Sequence, residues 1–248
     1  MPVVSRVPAD RTIVTRFVEY LSDERRPDLK VENIRWPEDE NPGQSEIEAI
    51  VGDLAIEHTS IDTIPEQRRD GEWFEAALAA VGRLSVPFRL QIQVPYELVR
   101  KGADWPAFEA GLVDWITNVA PGLPDGNHEF NLAATPLRLA ATKSSNLKPG
   151  VFLRRPAPDD NTLPARVGDQ IRRKLKKRAL YKARHTTVLL LESKDQALMN
   201  QYKMLEAARE GIGGSLPEGL DQLWYAEAEG AWFFDFTAAI LNGTDELG

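Results

Sequence analysis

The chain has 248 residues, of which 42% are hydrophobic, and a formal net charge of −8, which is the composition of a globular protein. No segment is apolar enough to span a membrane and the start lacks the apolar core of a secretory signal, so we expect a soluble protein of a bacterial-type cytoplasm. The absence of cysteine excludes disulfides, iron–sulfur clusters, thiolate nucleophiles and cysteine-containing zinc sites.

The first part of the chain predicts a helix and three strands. Apolar residues at helical spacing indicate the helix, and weak or clear alternation indicates the strands. An acidic, proline-rich stretch predicts a loop before the last two strands, which the pair Gly52-Asp53 separates. The predicted ranges are helix 11–23, strand 30–36, loop 37–43 and strands 46–51 and 54–59.

The rest of the chain mixes helices and strands in the same way. The predicted ranges are helix 65–83, strand 88–94, helix 105–119, two or three strands within 127–153, helix 163–182, strand 186–192, helix 196–209 and strands 223–226 and 231–236. This mixture predicts an α/β (α+β) fold with a central mixed sheet flanked by helices. We expect one domain over 1–248, with a core at about 9–85 and 163–236 and with 86–160 open as an insertion.

The hairpin around Gly52 brings carboxylates together. A two-residue turn at Gly52-Asp53 would pair Ile50 with Ala55 and Glu48 with Glu57. Alternation then gives one apolar face that ends at His58, which we expect to be a hydrogen-bonded core histidine. The opposite face carries three glutamates: Glu46, Glu48 and Glu57.

Glutamates that face each other across two strands repel unless something compensates their charge. A divalent cation such as Mg²⁺ or Mn²⁺ compensates it by accepting carboxylate oxygens as ligands. The alternative that the residues leave open is a set of solvated glutamates on an exposed hairpin face.

The segment 166–184 is strongly basic, with nine basic residues and Asp169 as its one acid. Such a helix could bind the phosphates of a nucleic acid. The alternative is a solvated surface helix in an acidic protein. The candidate nucleic-acid-binding residues are Arg172, Arg173, Lys176, Arg178 and Lys182.

The hairpin resembles the motif of the PD-(D/E)XK, or restriction-endonuclease-like, nuclease superfamily. In that αβββαβ core an acid precedes an apolar run, and after a turn an apolar strand ends in (D/E)-X-K. Here Glu48 within the sequence IEAIVG is similar to the first element. Glu57 within LAIEHT, separated from Glu48 by eight residues, is similar to the second. The basic helix and the strand TTVLLLE resemble the closing helix and strand of the core.

The resemblance implies that Glu48 and Glu57 hold a catalytic Mg²⁺ or Mn²⁺ ion, with Glu46 as an outer contact. One position departs from the motif, because Thr59 stands where the family has its lysine. A neutral hydroxyl cannot provide the positive charge of that lysine. Lys174 and Lys177, from the basic helix, are the candidates to replace it, and Gln67 is a further residue that could face the site.

The sequence therefore predicts a divergent nuclease-fold protein that binds DNA or RNA and hydrolyses phosphodiesters with Mg²⁺. Two alternatives stay open. One is a nuclease-like scaffold without activity that serves as a binding or assembly module, and the other is a protein-interaction module. We expect no membrane association, and a homodimer is left open.

Overall fold

The computed structural model describes most of the chain and shows an α/β fold with two mixed sheets. The described residues are 9–41, 47–65, 67–95, 104–135, 138–156, 160–178, 181–194, 198–227 and 232–247, without the side chains of 9–10, 67–70, 72 and 176–178. The chain forms two compact units, one made of 1–63 with 160–248 and the other of 64–159. Among the described helices, none is both long and apolar enough to cross a membrane.

The first unit contains a five-stranded sheet and five α-helices among its described residues. Its helices are α1 (Ala9–Glu24), α2 (Pro37–Glu40), α5 (Leu163–Arg178), α6 (Gln201–Gly211) and α7 (Phe236–Asn242). Its strands are β1 (Ala49–Val51), β2 (Leu54–Ser60), β7 (Thr186–Ser193), β8 (Gln222–Glu227) and β9 (Trp232–Asp235).

The strands of this sheet lie in the order β1-β2-β7-β8-β9. The pairs β2–β7 and β7–β8 are parallel, whereas β1–β2 and β8–β9 are antiparallel. A single antiparallel bridge joins Arg35 to Ile50 beyond β1. Along the chain this unit runs α1, the bridge at Arg35, α2, β1 and β2, and after the second unit it continues with α5, β7, α6, β8, β9 and α7.

Helices cover both faces of the five-stranded sheet, because its central strands are apolar on both sides. On one face α1 packs through Val14 and Phe17 against Ile56 and Trp224. On the other face the helices α5, α6 and α7 pack on the sheet, and Ile171 of α5 lies in the same cluster as neighbouring β7 residues. Side chains on the two faces of β2 therefore lie on the sides of different helices.

The predicted pairing of Ile50 with Ala55 is confirmed, and Val51 pairs with Leu54 across the turn at Gly52. The predicted pair of Glu48 with Glu57 is not part of the ladder, because β1 begins at Ala49. Gly52 has a φ of 57°, a left-handed conformation that glycine adopts without strain. Ile47 clusters with Ile50 and Ala55.

Two local predictions in this unit were wrong. The range 30–36 is not a strand but a 3₁₀ turn, Val31–Asn33, followed by the bridge at Arg35. The predicted loop 37–43 begins with the short helix α2, which Pro37 starts and acidic first-turn residues stabilise. The strand predicted over 231–236 is confirmed as β9, which ends at Asp235 because its carboxylate accepts from Thr237 N–H and caps the helix α7.

The second unit contains a four-stranded sheet with α3 (Gln67–Val81) and α4 (Trp105–Asp114). Its strands are β3 (Arg89–Gln93), β4 (Gly126–Asn131), β5 (Arg138–Ser144) and β6 (Gly150–Arg154), in the order β4-β5-β3-β6. The unit begins at 64, before the position 86 expected for an insertion, because Trp73 and Val81 of α3 belong to its core.

A buried lysine of the second unit binds the backbone carbonyl groups at the end of a helical turn. Lys143 donates to the carbonyl oxygens of Ala120, Pro121 and Leu123 at 3.0, 2.9 and 2.6 Å. Its ammonium also lies 4.4 Å from the ring centre of Phe88. A cation near the C-terminal carbonyls of a helix satisfies acceptors that have no partner in the helix.

Two glycines let α5 and α6 of the first unit approach closely. A Cβ atom added at Gly168 of α5 would collide with the backbone of Gly211, where α6 ends. Neither colliding group is a flexible side chain, so the two helices would have to move apart. This contact fixes α5 against α6.

We predict that Gly168→Ala destabilises the protein by about 1–3 kcal/mol through overpacking, although alanine favours a helix by about 1 kcal/mol. The matched control is Gly71→Ala in α3, where no atom lies near the added Cβ. It should be neutral or slightly stabilising. Urea unfolding of both variants measures the two free energies, and a stable Gly168→Ala variant would contradict the close contact.

Candidate functional site

Glu57 is a fully buried carboxylate in the middle of the sheet. It lies on β2, next to Ile56, and its residue exposure is 0%. Because Ile56 packs on the α1 side, alternation directs Glu57 toward α5. A carboxylate without solvent needs a positive or hydrogen-bonding partner within the protein.

Lys174 of α5 is that partner. Its Nζ lies 2.5 Å from Glu57 Oε1 and 3.3 Å from Glu48 Oε1. Lys174 follows Val167 and Ile171 at a spacing of seven and three residues, so it continues the buried stripe of α5. The helix thereby brings an ammonium group to the β2 glutamate from more than a hundred residues away in sequence.

Glu48 completes this ion cluster from the edge of the sheet. It lies just before β1 and is therefore not paired in the ladder with Glu57. Its Oε2 accepts a hydrogen bond from His58 N–H at 3.1 Å, while Oε1 contacts Lys174. Both glutamates therefore contact the same ammonium group. This agrees with the expectation that Lys174 lies close to the hairpin.

A second buried pair adjoins the cluster. His58 Nε2 lies 3.1 Å from Glu192 Oε2, and His58 Nδ1 lies 3.9 Å from Glu48 Oε2. His58 is 4% exposed and Glu192 5% exposed, so the expectation of a hydrogen-bonded core histidine is confirmed. Polar groups therefore extend without a break from Glu192 through His58 and Glu48 to Lys174 and Glu57.

Burial changes the acidity of Glu48. Loss of solvent is the largest effect and raises the pKa of Glu48, and repulsion from the Glu57 charge raises it further. Attraction to Lys174 and His58 acts in the opposite direction without reversing the shift. The environment of Glu48 therefore disfavours its ionised form. A further cation nearby would favour the ionised form.

One carboxylate oxygen of each glutamate lies within 3.3 Å of Lys174 Nζ, so the two carboxylates converge on the position that this ammonium group occupies. Mg²⁺ is often bound by one or two carboxylates, with water and substrate phosphate as its other ligands. Within the described part of the chain, no three acidic or histidine groups could hold a metal by themselves.

Several of the predicted basic residues are held by contacts within the protein. Arg172 donates to the carbonyl of Gly211 at 2.9 Å and to Asp169 at 2.8 Å. Arg166, counted in the basic segment, binds Asp160 and two backbone carbonyls. Arg172 and Arg166 therefore stabilise the unit.

The remaining candidates differ in what the structure describes. Arg173 and Lys182 are exposed and accessible to a charged partner. The side chains of Lys176, Lys177 and Arg178 lie outside the described residues, as do Glu46 and the side chain of Gln67. Thr59, in the position of the motif lysine, is buried with an exposure of 7%.

Sequence reasoning missed the role of Glu192. It ends the apolar strand β7, and its register partner on β2 is Ser60, so it lies on the same face as His58. The one sequence signal for this role is the position of the glutamate near the end of a fully buried strand. The pairing itself depends on the parallel contact of β2 with β7, which the sequence did not specify.

We predict a pH-dependent effect for Glu48→Gln. Because the folded pKa of Glu48 is raised, its contribution to stability is full below the unfolded pKa and is lost as pH rises through the folded pKa. Glutamine keeps the neutral shape at every pH, so the variant should gain stability relative to the wild type over that window.

Urea unfolding from about pH 4 to about pH 8 measures this difference. The matched control is Glu206→Gln, whose side chain is exposed on α6. A difference between Glu48→Gln and the wild type that stays constant over the pH series would contradict the prediction.

Comparisons of the chain with protein-family models, with curated proteins and with solved structures found no match.

Proposed function

We propose that this protein binds nucleic acid and hydrolyses phosphodiester bonds with the help of Mg²⁺ or Mn²⁺. The observation that carries the proposal is the contact of Lys174 with both Glu48 and Glu57. Two carboxylates and one lysine are the groups that the PD-(D/E)XK motif combines. Here the lysine comes from α5, which compensates for Thr59 in the motif.

The arrangement of the sheet supports the same proposal. The two glutamates lie on neighbouring segments at a sheet edge, and the lysine comes from a helix that follows in the chain and packs on the same face. The order of these elements agrees with an αβββαβ core. A second unit is inserted between β2 and α5.

The proposed mechanism assigns a role to each side chain. Glu48 and Glu57 would hold the divalent cation, which when bound polarises the phosphate and lowers the pKa of an attacking water. Lys174 orients that water and balances the negative charge that develops on the phosphate. His58, held by Glu192, keeps the Glu48 carboxylate in position through its backbone N–H.

Exposed basic residues on and after α5 support nucleic acid as the substrate class. Arg173 and Lys182 are exposed close in sequence to Lys174. Basic side chains that contact backbone phosphates provide affinity that does not depend on sequence and that decreases with salt. DNA and RNA both present this charge.

The second candidate function is a nucleic-acid-binding module without catalysis. The observation that favours it is that Lys174 already neutralises the two carboxylates, with its ammonium 2.5 Å from Glu57. In that case the ion cluster is a structural link between the hairpin and α5. Titration calorimetry with Mn²⁺ separates the two functions, because only the catalytic site binds the cation.

We predict that the wild type cleaves labelled DNA or RNA in the presence of Mg²⁺ or Mn²⁺. Glu57→Gln and Lys174→Met should lower the rate by about a hundredfold or more, since the first weakens the binding of the cation and the second removes the positive charge that balances the transition state. Gel analysis of the cleavage products over time measures the rates.

The matched control for the lysine is Lys148→Met, because Lys148 is exposed in the second unit. Lys174→Met leaves two buried carboxylates without their cation, which costs about 3–5 kcal/mol, so circular dichroism must first establish that the variant is folded. Glu57→Gln is the safer variant, since glutamine can still accept from Lys174. Equal cleavage by the wild type and Glu57→Gln would exclude the catalytic function.

A further inference from the structure

A cavity of about 470 Å³ lies beside the hairpin in the first unit. Its volume is within the range of pockets that bind small organic ligands. Three kinds of residue line it: aromatic rings, basic side chains and hydrogen-bonding groups near α2. The residues that matter here are Arg35, Glu40, Asn41, Tyr181, Arg184 and His185.

The cavity lies next to the glutamate site on the same face of the sheet. Ile50 lines it, and Ile50 packs with Ala55 and Tyr181 in one cluster. Ala55 precedes Glu57 by two residues on β2, so the two side chains share a face about 7 Å apart. A ligand in the cavity would therefore lie close to the carboxylates, at about the spacing of two residues along β2.

One side of the cavity is suited to an anion. Arg184 is exposed, and no carboxylate of a described residue forms a salt bridge with it. Its guanidinium is therefore available to donate paired hydrogen bonds to a phosphate group.

Other lining residues are suited to a base. Tyr181 and His185 present two rings with centres 6.1 Å apart, and aromatic side chains stack on nucleobases. The Glu40 carboxylate is fixed by two hydrogen bonds from Arg35, at 3.0 and 2.6 Å. Carboxylate and amide groups such as those of Glu40 and Asn41 accept hydrogen bonds from base amino groups.

We infer that this cavity binds one unpaired nucleotide, with its phosphate at Arg184 and its base against Tyr181. A base stacked in a duplex cannot enter a pocket of this size unless it leaves the stack. The protein therefore prefers single-stranded nucleic acid, or a single-stranded end, over a duplex. This inference rests on the proposed function, since it names the substrate class of the adjacent site.

The test is fluorescence anisotropy with a labelled single-stranded oligonucleotide and a duplex of the same length, in EDTA so that no cleavage occurs. The single strand should bind about tenfold more tightly than the duplex. Arg184→Gln and Tyr181→Ala should each weaken binding of the single strand by about tenfold. A nucleoside monophosphate should compete for the site better than inorganic phosphate does.

The matched control is Arg83→Gln, an exposed arginine of the second unit, which should bind like the wild type. Arg184→Gln tests the inference even where Tyr181→Ala disturbs packing, because Arg184 is exposed. Equal affinity for single strand and duplex, or unchanged binding by Arg184→Gln, overturns the inference. Loss of binding in Arg184→Gln without cleavage by the wild type supports the pocket while the proposed hydrolysis fails.

Discussion

The site depends on the contact of the Lys174 ammonium with two carboxylates, one buried and one partly buried, at the edge of the sheet. Glu57 is inaccessible to solvent, and burial first and repulsion from Glu57 second raise the pKa of Glu48. One cation that contacts both glutamates offsets part of these two effects. The same contact links the edge hairpin to α5, although the whole second unit lies between them in the sequence.

The sequence was sufficient for the elements that depend on local pattern. The register of β1 and β2 followed from Gly52, because a two-residue turn fixes which residues face each other. The apolar run of β7 predicted a buried strand. The strand predicted over 30–36 failed because a weak alternation does not decide between extended and turn conformations, and only Arg35 finds a partner, in Ile50.

Contacts between distant segments could not be read from the sequence. The pairing of His58 with Glu192 spans 134 residues and requires β2 and β7 to be parallel neighbours. Three backbone carbonyls hold the Lys143 ammonium inside the second unit, a contact that no local pattern in the sequence indicates. Long-range polar pairs of this kind follow from the fold, whereas hydrophobic spacing reports only which face of an element is buried.

The lysine of this cluster comes from a helix and not from the strand, which determines what maintains the cluster. A lysine at position 59 would be fixed by the ladder between β2 and β7, two residues from Glu57. Lys174 instead depends on the position of α5, which the close approach of Gly168 to Gly211 sets and which Arg172 reinforces by binding the Gly211 carbonyl. A shift of about 1 Å between α5 and α6 would therefore move the ammonium relative to the carboxylates, and such misplacement is sufficient to lower a catalytic rate substantially. The packing of two helices away from the sheet edge thus determines the geometry of the charged cluster.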